Sequence, residues 1–387
     1  MRAWGLYVHI PFCSRRCPYC AFAVLTGRKE YYQRYVDAVC KEIECNGNLG
    51  DRGPLMTVFF GGGTPSILEP EQLGRILNTA ARVLDLAPTA EITIEANPDT
   101  ADCARFRGFR RIGVNRMSLG VQSFADETLK RLGRSHSGAD AERAYWAARE
   151  AGFDNVSLDL IFSTPGSSLR LWRDSLDKAV GLGPEHISTY ALAIEPDTPF
   201  AELRRRGRLQ PVEEDDDARA YEWTMERLTG CGYEHYEISN FARPGRRSRH
   251  NWGYWTGGEY LGVGMSAHSF VGSFRSWNHR DLPSYLEAVE SGGPARHGQE
   301  EIGAETAARE RIWMGLRTDA GVSVQAGEEA ALEGQTRFAD LLKAGYLEMD
   351  AGVLRLTRRG FPLADALGLE LVDLLEKTMA HGETISH

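Results

Sequence analysis

Residues 6–22 read LYVHIPFCSRRCPYCAF, a short apolar run followed at once by Cys13, Cys17 and Cys20 with three and then two residues between them. Three thiolates at this spacing can hold three irons of a [4Fe-4S] cubane, which leaves the fourth iron free to chelate a small molecule. A zinc site is the competing reading, and it usually needs four protein ligands. His9 is the nearest candidate for the fourth, awkwardly placed four residues before Cys13 on a strand. Cys40, Cys45, Cys103 and Cys231 are scattered without pattern, so the chain does not read as a disulfide framework, and the crowded three are the metal-ligating candidates.

Outward from this loop, short β-type runs alternate with helical stretches. The strand candidates are Leu6–Ile10, Thr57–Phe60, Glu91–Glu95, Arg116–Leu119, Val156–Phe162 and Ile187–Ala193. Their apolar runs are too continuous for an antiparallel sheet with one wet face. The expected fold class is α/β: a partial (β/α)6 barrel over residues 1–195, with a doubly wound open sheet as the alternative. An additional α+β segment is expected over 196–292 and a small C-terminal winged-helix-like domain over 295–380. In that last part LLKAGYLEMDAGVLRLTRRG, residues 341–360, reads as a helix, a turn and a two-stranded wing. The acidic run Glu213–Asp217 precedes a helical stretch, where carboxylates face the positive end of the dipole.

The chain has 387 residues, 42% of them hydrophobic, and a formal net charge of −9. That charge offers no general field for nucleic acid, and solvated side chains are the expected reading of the arginine clusters at 204–206 and 246–249. No run of eighteen apolar residues occurs and MRAWGLYVHIPF lacks a signal-peptide pattern, so no membrane span is expected. The expected location is cytoplasmic, with at most a peripheral association at the inner face of the membrane.

CxxxCxxC with an aromatic before the last cysteine resembles the signature of the radical S-adenosylmethionine (SAM) superfamily. FFGGGTPS, residues 59–66, follows the second strand, where that superfamily cradles the methionyl amino group of SAM. Gly61, Gly62, Gly63 and Thr64 match by position, and their backbone N–H groups are expected to be open for binding. IEANP (94–98), SLGVQSF (118–124), LGRSH (132–136) and LDLIF (158–162) resemble the oxygen-independent coproporphyrinogen III oxidase-like family. The resemblance implies SAM contacts from Tyr7, Tyr19, Gly62, Gly63, Thr64, Glu95, Gln122, Arg134, Asp159 and Ala193. A strand-core aromatic is the competing reading of Tyr7, and Gln122 and Arg134 could belong to a second SAM site.

Within that family the porphyrinogen-decarboxylating enzymes carry a fourth cysteine two residues after the third, together with a longer N-terminal extension. Here the position is Phe22, and twelve residues precede Cys13. RHNWGYW, residues 249–255, matches the His-Asn-x-x-Tyr-Trp signature of haem chaperones of the HemW type. It implies that His250 ligates haem iron, with Tyr254 and Trp255 packing on the porphyrin. A hydrogen-bonded structural histidine is the alternative. YEISNFARPG, GGEYLGVGMSAHSF and LRLTRRG resemble the same type, while FSTPG after Asp159 and the stretch MSAHS depart from it. The resemblance implies a [4Fe-4S] cluster, SAM and haem as cofactors. Its implied partners are apo-haemoproteins such as respiratory cytochromes and an electron donor for the cluster. A two-SAM radical methyltransferase, the porphyrinogen dehydrogenase itself, and a zinc-dependent module with a winged-helix DNA reader are the alternatives.

Overall fold

The computed structural model describes residues 4–383. Six parallel strands lie side by side in chain order: β1 (Trp4–Ile10), β2 (Leu55–Gly62), β3 (Leu86–Ala96), β4 (Arg116–Gln122), β5 (Val156–Phe162) and β6 (His186–Ala191). Consecutive strands pair directly, Tyr7 with Phe59, Thr93 with Arg116, Asp159 with Ser188. That sequential order is singly wound, so the doubly wound alternative is set aside. Helices α1 (Tyr32–Cys45), α2 (Pro70–Val83), α3 (Cys103–Arg111), α4 (Asp126–Arg131), α5 (Gly138–Glu150) and α6 (Leu169–Leu182) form the crossovers.

Each strand sends alternate side chains to opposite faces. One set, including Leu6, Val8, Ile10, Val58, Phe60, Leu119, Leu158 and Leu160, is fully buried in the core. Burying one such side chain stabilises the fold by about 1.5–3 kcal/mol. The other set is largely polar: Tyr7, Glu95, Ser118, Asp159 and Ser188 line an inner chamber. The strands therefore alternate more than their apolar content suggests, because the inside of this sheet is a polar cavity.

The sheet does not close. On one edge β7 (Glu234–Glu237) and β8 (Asn240–Ala242) continue it antiparallel beyond β6. On the other, β9 (Tyr260–Val263) runs parallel to β1, and β10 (His268–Val271), β11 (Phe274–Asn278) and β12 (Arg296–Glu301) follow antiparallel. The result is one twelve-stranded sheet ordered β12-β11-β10-β9-β1-β2-β3-β4-β5-β6-β8-β7. After Gly292, Gly293 and Pro294 the chain thus returns to the main sheet before leaving it at Ile302.

Between these edges lie α7 (Pro199–Arg205), α8 (Glu214–Gly230), α9 (Arg249–Trp255) and α10 (Leu282–Glu290). The acidic run opens α8, with four carboxylates in its first turn. The C-terminal part packs α11 (Ala304–Gly315), α12 (Ala326–Glu333), α13 (Thr336–Lys343) and α14 (Ala364–Glu383) with a small sheet. That sheet joins β13 (Val322–Ser323), β14 (Leu347–Asp350) and β15 (Val353–Leu356) in the order β13-β15-β14. The wing turns through Ala351 and Gly352, both at positive φ, the pairing a two-residue hairpin requires. No helix among the described residues is long and apolar enough to cross a membrane.

Candidate functional site

The cysteine loop leaves β1 through Pro11 and crosses the C-terminal ends of the strands, where barrel proteins place their chemistry. It is tied to the loop after β2 by backbone bonds: Gly63 N–H donates to Ile10 O at 2.8 Å and Thr64 N–H to Phe12 O at 2.8 Å. A Cβ on Gly63 would stand 2.7 Å from Phe12 O and 2.9 Å from Ile10 O, so only glycine lets the two loops meet. Gly62, at φ +111°, lies against the His9 ring and donates its N–H to Glu95 Oε2 at 3.1 Å. The expectation of open glycine N–H groups is thus corrected. Those of Gly62, Gly63 and Thr64 are engaged within the protein, and what the loop can offer an ammonium is carbonyl oxygen.

All three cysteines are free thiols, Cys17 buried and Cys13 and Cys20 half-buried. Thr64 Oγ1 lies 3.5 Å from Cys13 Sγ, and Arg134 donates through Nη1 to Cys17 Sγ at 3.4 Å. Burial pushes the Cys13 thiol up to about 11, with the Thr64 hydroxyl and Arg134 opposing the shift, and burial raises Cys20 as well. A thiolate here is costly until a metal compensates it, and two donors already aim at sulfur, so the loop fits a thiolate-bound cluster. Among the described residues no three His, Cys, Asp or Glu side chains are gathered around one point as a single ion requires. A cubane instead takes one iron per thiolate. His9 is not a further ligand, since its Nδ1 lies 3.1 Å from Tyr7 Oη and its Nε2 3.1 Å from Ala23 O.

Arg134 joins the cysteine loop to the strand ends. Its Nη2 donates to Asn97 Oδ1 and, at 3.1 Å, to Gly120 O. Gln122 ends β4 in the left-handed region, φ +64°, with its amide beside Gly120 and Asn97. Tyr19 lies on the same loop, close enough to Cys17 and Arg134 to interact with both. Ala193 is exposed in the loop beyond β6, which ends two residues earlier than expected.

Below the mouth is a chamber of about 210 Å³ walled by Tyr7, Glu95, Asp159, Arg116, Tyr190 and Tyr254 among others. Burial, reinforced by Asp159, pushes the Glu95 carboxyl up to about 8. Burial also raises Asp159, against the Ser118 hydroxyl, which lies 2.9 Å from Oδ1 and 2.8 Å from Oδ2. Two carboxyls that resist ionisation, with Arg116 as the neighbouring cation, form a site that gains from an incoming positive charge. Arg116, Ser118, Ser188 and Tyr190 were not expected as site residues. Their signal was present, as polar side chains at every second position within RMSLG, VSLDL and HISTY.

His250 sits on this chamber's wall rather than on a surface. Its backbone N–H and that of Arg249 donate to the Glu91 carboxylate at 3.1 and 3.0 Å, which seats the start of α9 on β3. Nδ1 lies 2.8 Å from Thr57 Oγ1, Nε2 lies 2.8 Å from Tyr254 Oη, and the ring stacks on Phe59. Burial, with Arg116 nearby, lowers the imidazole to about 3, so it is neutral. With both nitrogens engaged it presents no free lone pair to an iron. For His250 to ligate haem iron, one of these two hydrogen bonds would have to break. Tyr254 points into the chamber, and Trp255 lies beside Glu237 instead of forming a shared aromatic face with it.

Residues 7–179 match the Radical SAM superfamily and residues 302–363 the HemN C-terminal domain. Over 360 residues the chain is 35% identical to a protein of Bacillus subtilis named "Heme chaperone HemW", covering 92% of this chain and 95% of that one. A Mycobacterium tuberculosis protein of the same name is 38% identical over 367 residues, covering 94% and 93%. The fold superposes on coproporphyrinogen III oxidase (HemN) of Escherichia coli, a radical SAM enzyme, with a TM-score of 0.82 at 24% identity, covering 97% of this chain and 90% of that chain.

Proposed function

The chain belongs to the HemW family of radical SAM proteins, and from that membership we propose that it is a haem chaperone which binds haem and passes it to apo-haemoproteins. Cys13, Cys17 and Cys20 would hold a [4Fe-4S] cluster, and Tyr7, Glu95 and Asp159, with the Gly62–Thr64 loop, would hold SAM. When bound, the cluster supplies single electrons and one iron without a protein ligand. Arg134 donates to Cys17 Sγ and fixes the cysteine loop against Asn97 and Gly120. Once ionised, Glu95 and Asp159 would offer their charge to the cationic part of SAM, and the hydroxyls of Ser118 and Ser157 keep the Asp159 carboxylate oriented. His250 and Tyr254, hydrogen-bonded to each other, form one wall of the chamber.

The observation that carries this reading is the meeting, at one strand end, of a three-thiol loop with donors on sulfur and a buried acidic chamber. Respiratory cytochromes are the proposed recipients, a small reductant protein the electron donor, and the cytoplasmic side of the membrane the place of transfer. The test is to reconstitute the protein anaerobically, count iron, sulfide and haem per chain, and record the spectrum of the reduced cluster with and without SAM. Four irons, a SAM-sensitive spectrum and one haem per chain support the reading. Zinc without sulfide, or no haem bound, overturns it.

A further inference from the structure

A second hollow, of about 360 Å³, lies beside the cysteine loop and shares no wall residue with the Tyr7–Asp159 chamber. Its apolar lining comes from Phe22, Val24, Leu25, Tyr31, Leu282 and Pro283. Phe22 is 65% exposed, the largest exposure among the big apolar side chains of the described residues. Three arginines, Arg16, Arg28 and Arg280, line the same hollow. None is held by a good carboxylate partner. Arg16 reaches only Cys20 O at 3.4 Å, Arg28 lies 3.8 Å from Glu30, and Arg280 has no hydrogen bond or ion pair among the described residues. The one acid of the lining, Asp281, is occupied in capping α10 through Ser284 N–H at 2.9 Å.

An apolar slot lined by guanidinium groups with little carboxylate pairing matches a flat, apolar ligand that carries carboxylates. We propose that this hollow is the porphyrin-docking site: the ring lies against Phe22 and its neighbours, and the two propionates meet the arginines. This rests on the haem-chaperone reading and gives it a place. Recognition is by ring and carboxylates, so the iron stays available to the ligands of the recipient. A site of this size covers part of a tetrapyrrole and leaves the rest exposed, as hand-over to a second protein requires.

The experiment titrates the full, cluster-reconstituted chain with haem and, separately, with metal-free protoporphyrin IX. It uses wild type, Phe22→Ser, Arg280→Glu and the Arg16→Glu/Arg280→Glu pair. Wild type should bind both tetrapyrroles with affinities within about threefold of each other, and each variant should bind both roughly tenfold or more weakly, the loss of one charge-assisted or aromatic contact. Arg280 lies outside the cysteine loop, so its variant separates porphyrin binding from cluster loss, with iron content as the control. Variants that bind haem like wild type, or a wild type that binds haem but not the metal-free ring, overturn this site while leaving the chaperone reading intact. A wild type that binds no haem defeats both.

Discussion

Replacing His250 by alanine separates a structural from a ligating role. The substitution strands Thr57 Oγ1 and Tyr254 Oη, each 2.8 Å from an imidazole nitrogen, and removes a ring stacked on Phe59 at 5.1 Å. An unsatisfied buried hydroxyl costs about 1–3 kcal/mol. The lost ring contact adds about 0.5–1.5 kcal/mol. Tyr254 lines the chamber and can turn to water, so the lower part of the range applies, about 3 kcal/mol in all. With a urea dependence of about 3 kcal/mol per molar, the unfolding midpoint should fall by roughly 1 M. Tryptophan fluorescence during anaerobic unfolding reads that shift, and a haem titration of the folded variant should stay within about twofold of wild type, since no iron ligand is lost. Unchanged stability with a tenfold weaker, spectrally altered haem complex would refute the reasoning and make His250 a ligand.

Arg134→Met removes the positive donor at Cys17 Sγ and unties the loop from Asn97 and Gly120. Iron per chain should drop by about half or more, and the remaining cluster should be harder to reduce, measured by iron analysis and redox titration. Gly63→Ala forces a methyl between the carbonyls of Ile10 and Phe12 and should cost about 2–4 kcal/mol, with loss of the brown cluster, seen in thermal unfolding and iron content. Glu95 holds its proton up to about pH 8, so SAM affinity should rise as pH increases toward that value and flatten above it. The slope should be about tenfold per pH unit at most, with one proton released on binding. Calorimetry in buffers of different ionisation heat reads the proton, and Glu95→Gln should remove both slope and release.

The six central strands and the cysteine loop were legible because each rests on local signals, a β-type run or a fixed thiol spacing. The wing was legible too, since Asp350-Ala351-Gly352 between two apolar pairs marks a hairpin. The edges were not. Strands β7 to β12 run to three to six residues, and β9 pairs with β1 across more than 250 positions, which no window of sequence reports. The acidic chamber was half legible. Glu95 and Asp159 stood out, but Arg116 looked like the start of an apolar strand until its neighbours on β3 and β5 showed that the inward face is polar. His250 was found by its motif, but its burial and hydrogen-bond partners were not. The partners that engage its nitrogens are Thr57, 193 positions away, and Tyr254, one turn on, and only the first decides that the ring is buried.

The most direct test of the account loads the anaerobically reconstituted protein with haem, adds an apo-cytochrome, and follows the Soret band, with SAM products assayed in the same tubes. The account predicts one haem per chain, its transfer to the apo-cytochrome, and little 5′-deoxyadenosine. Absence of haem binding, together with steady formation of 5′-deoxyadenosine and S-adenosylhomocysteine once a substrate is supplied, would contradict it and identify a radical methyltransferase.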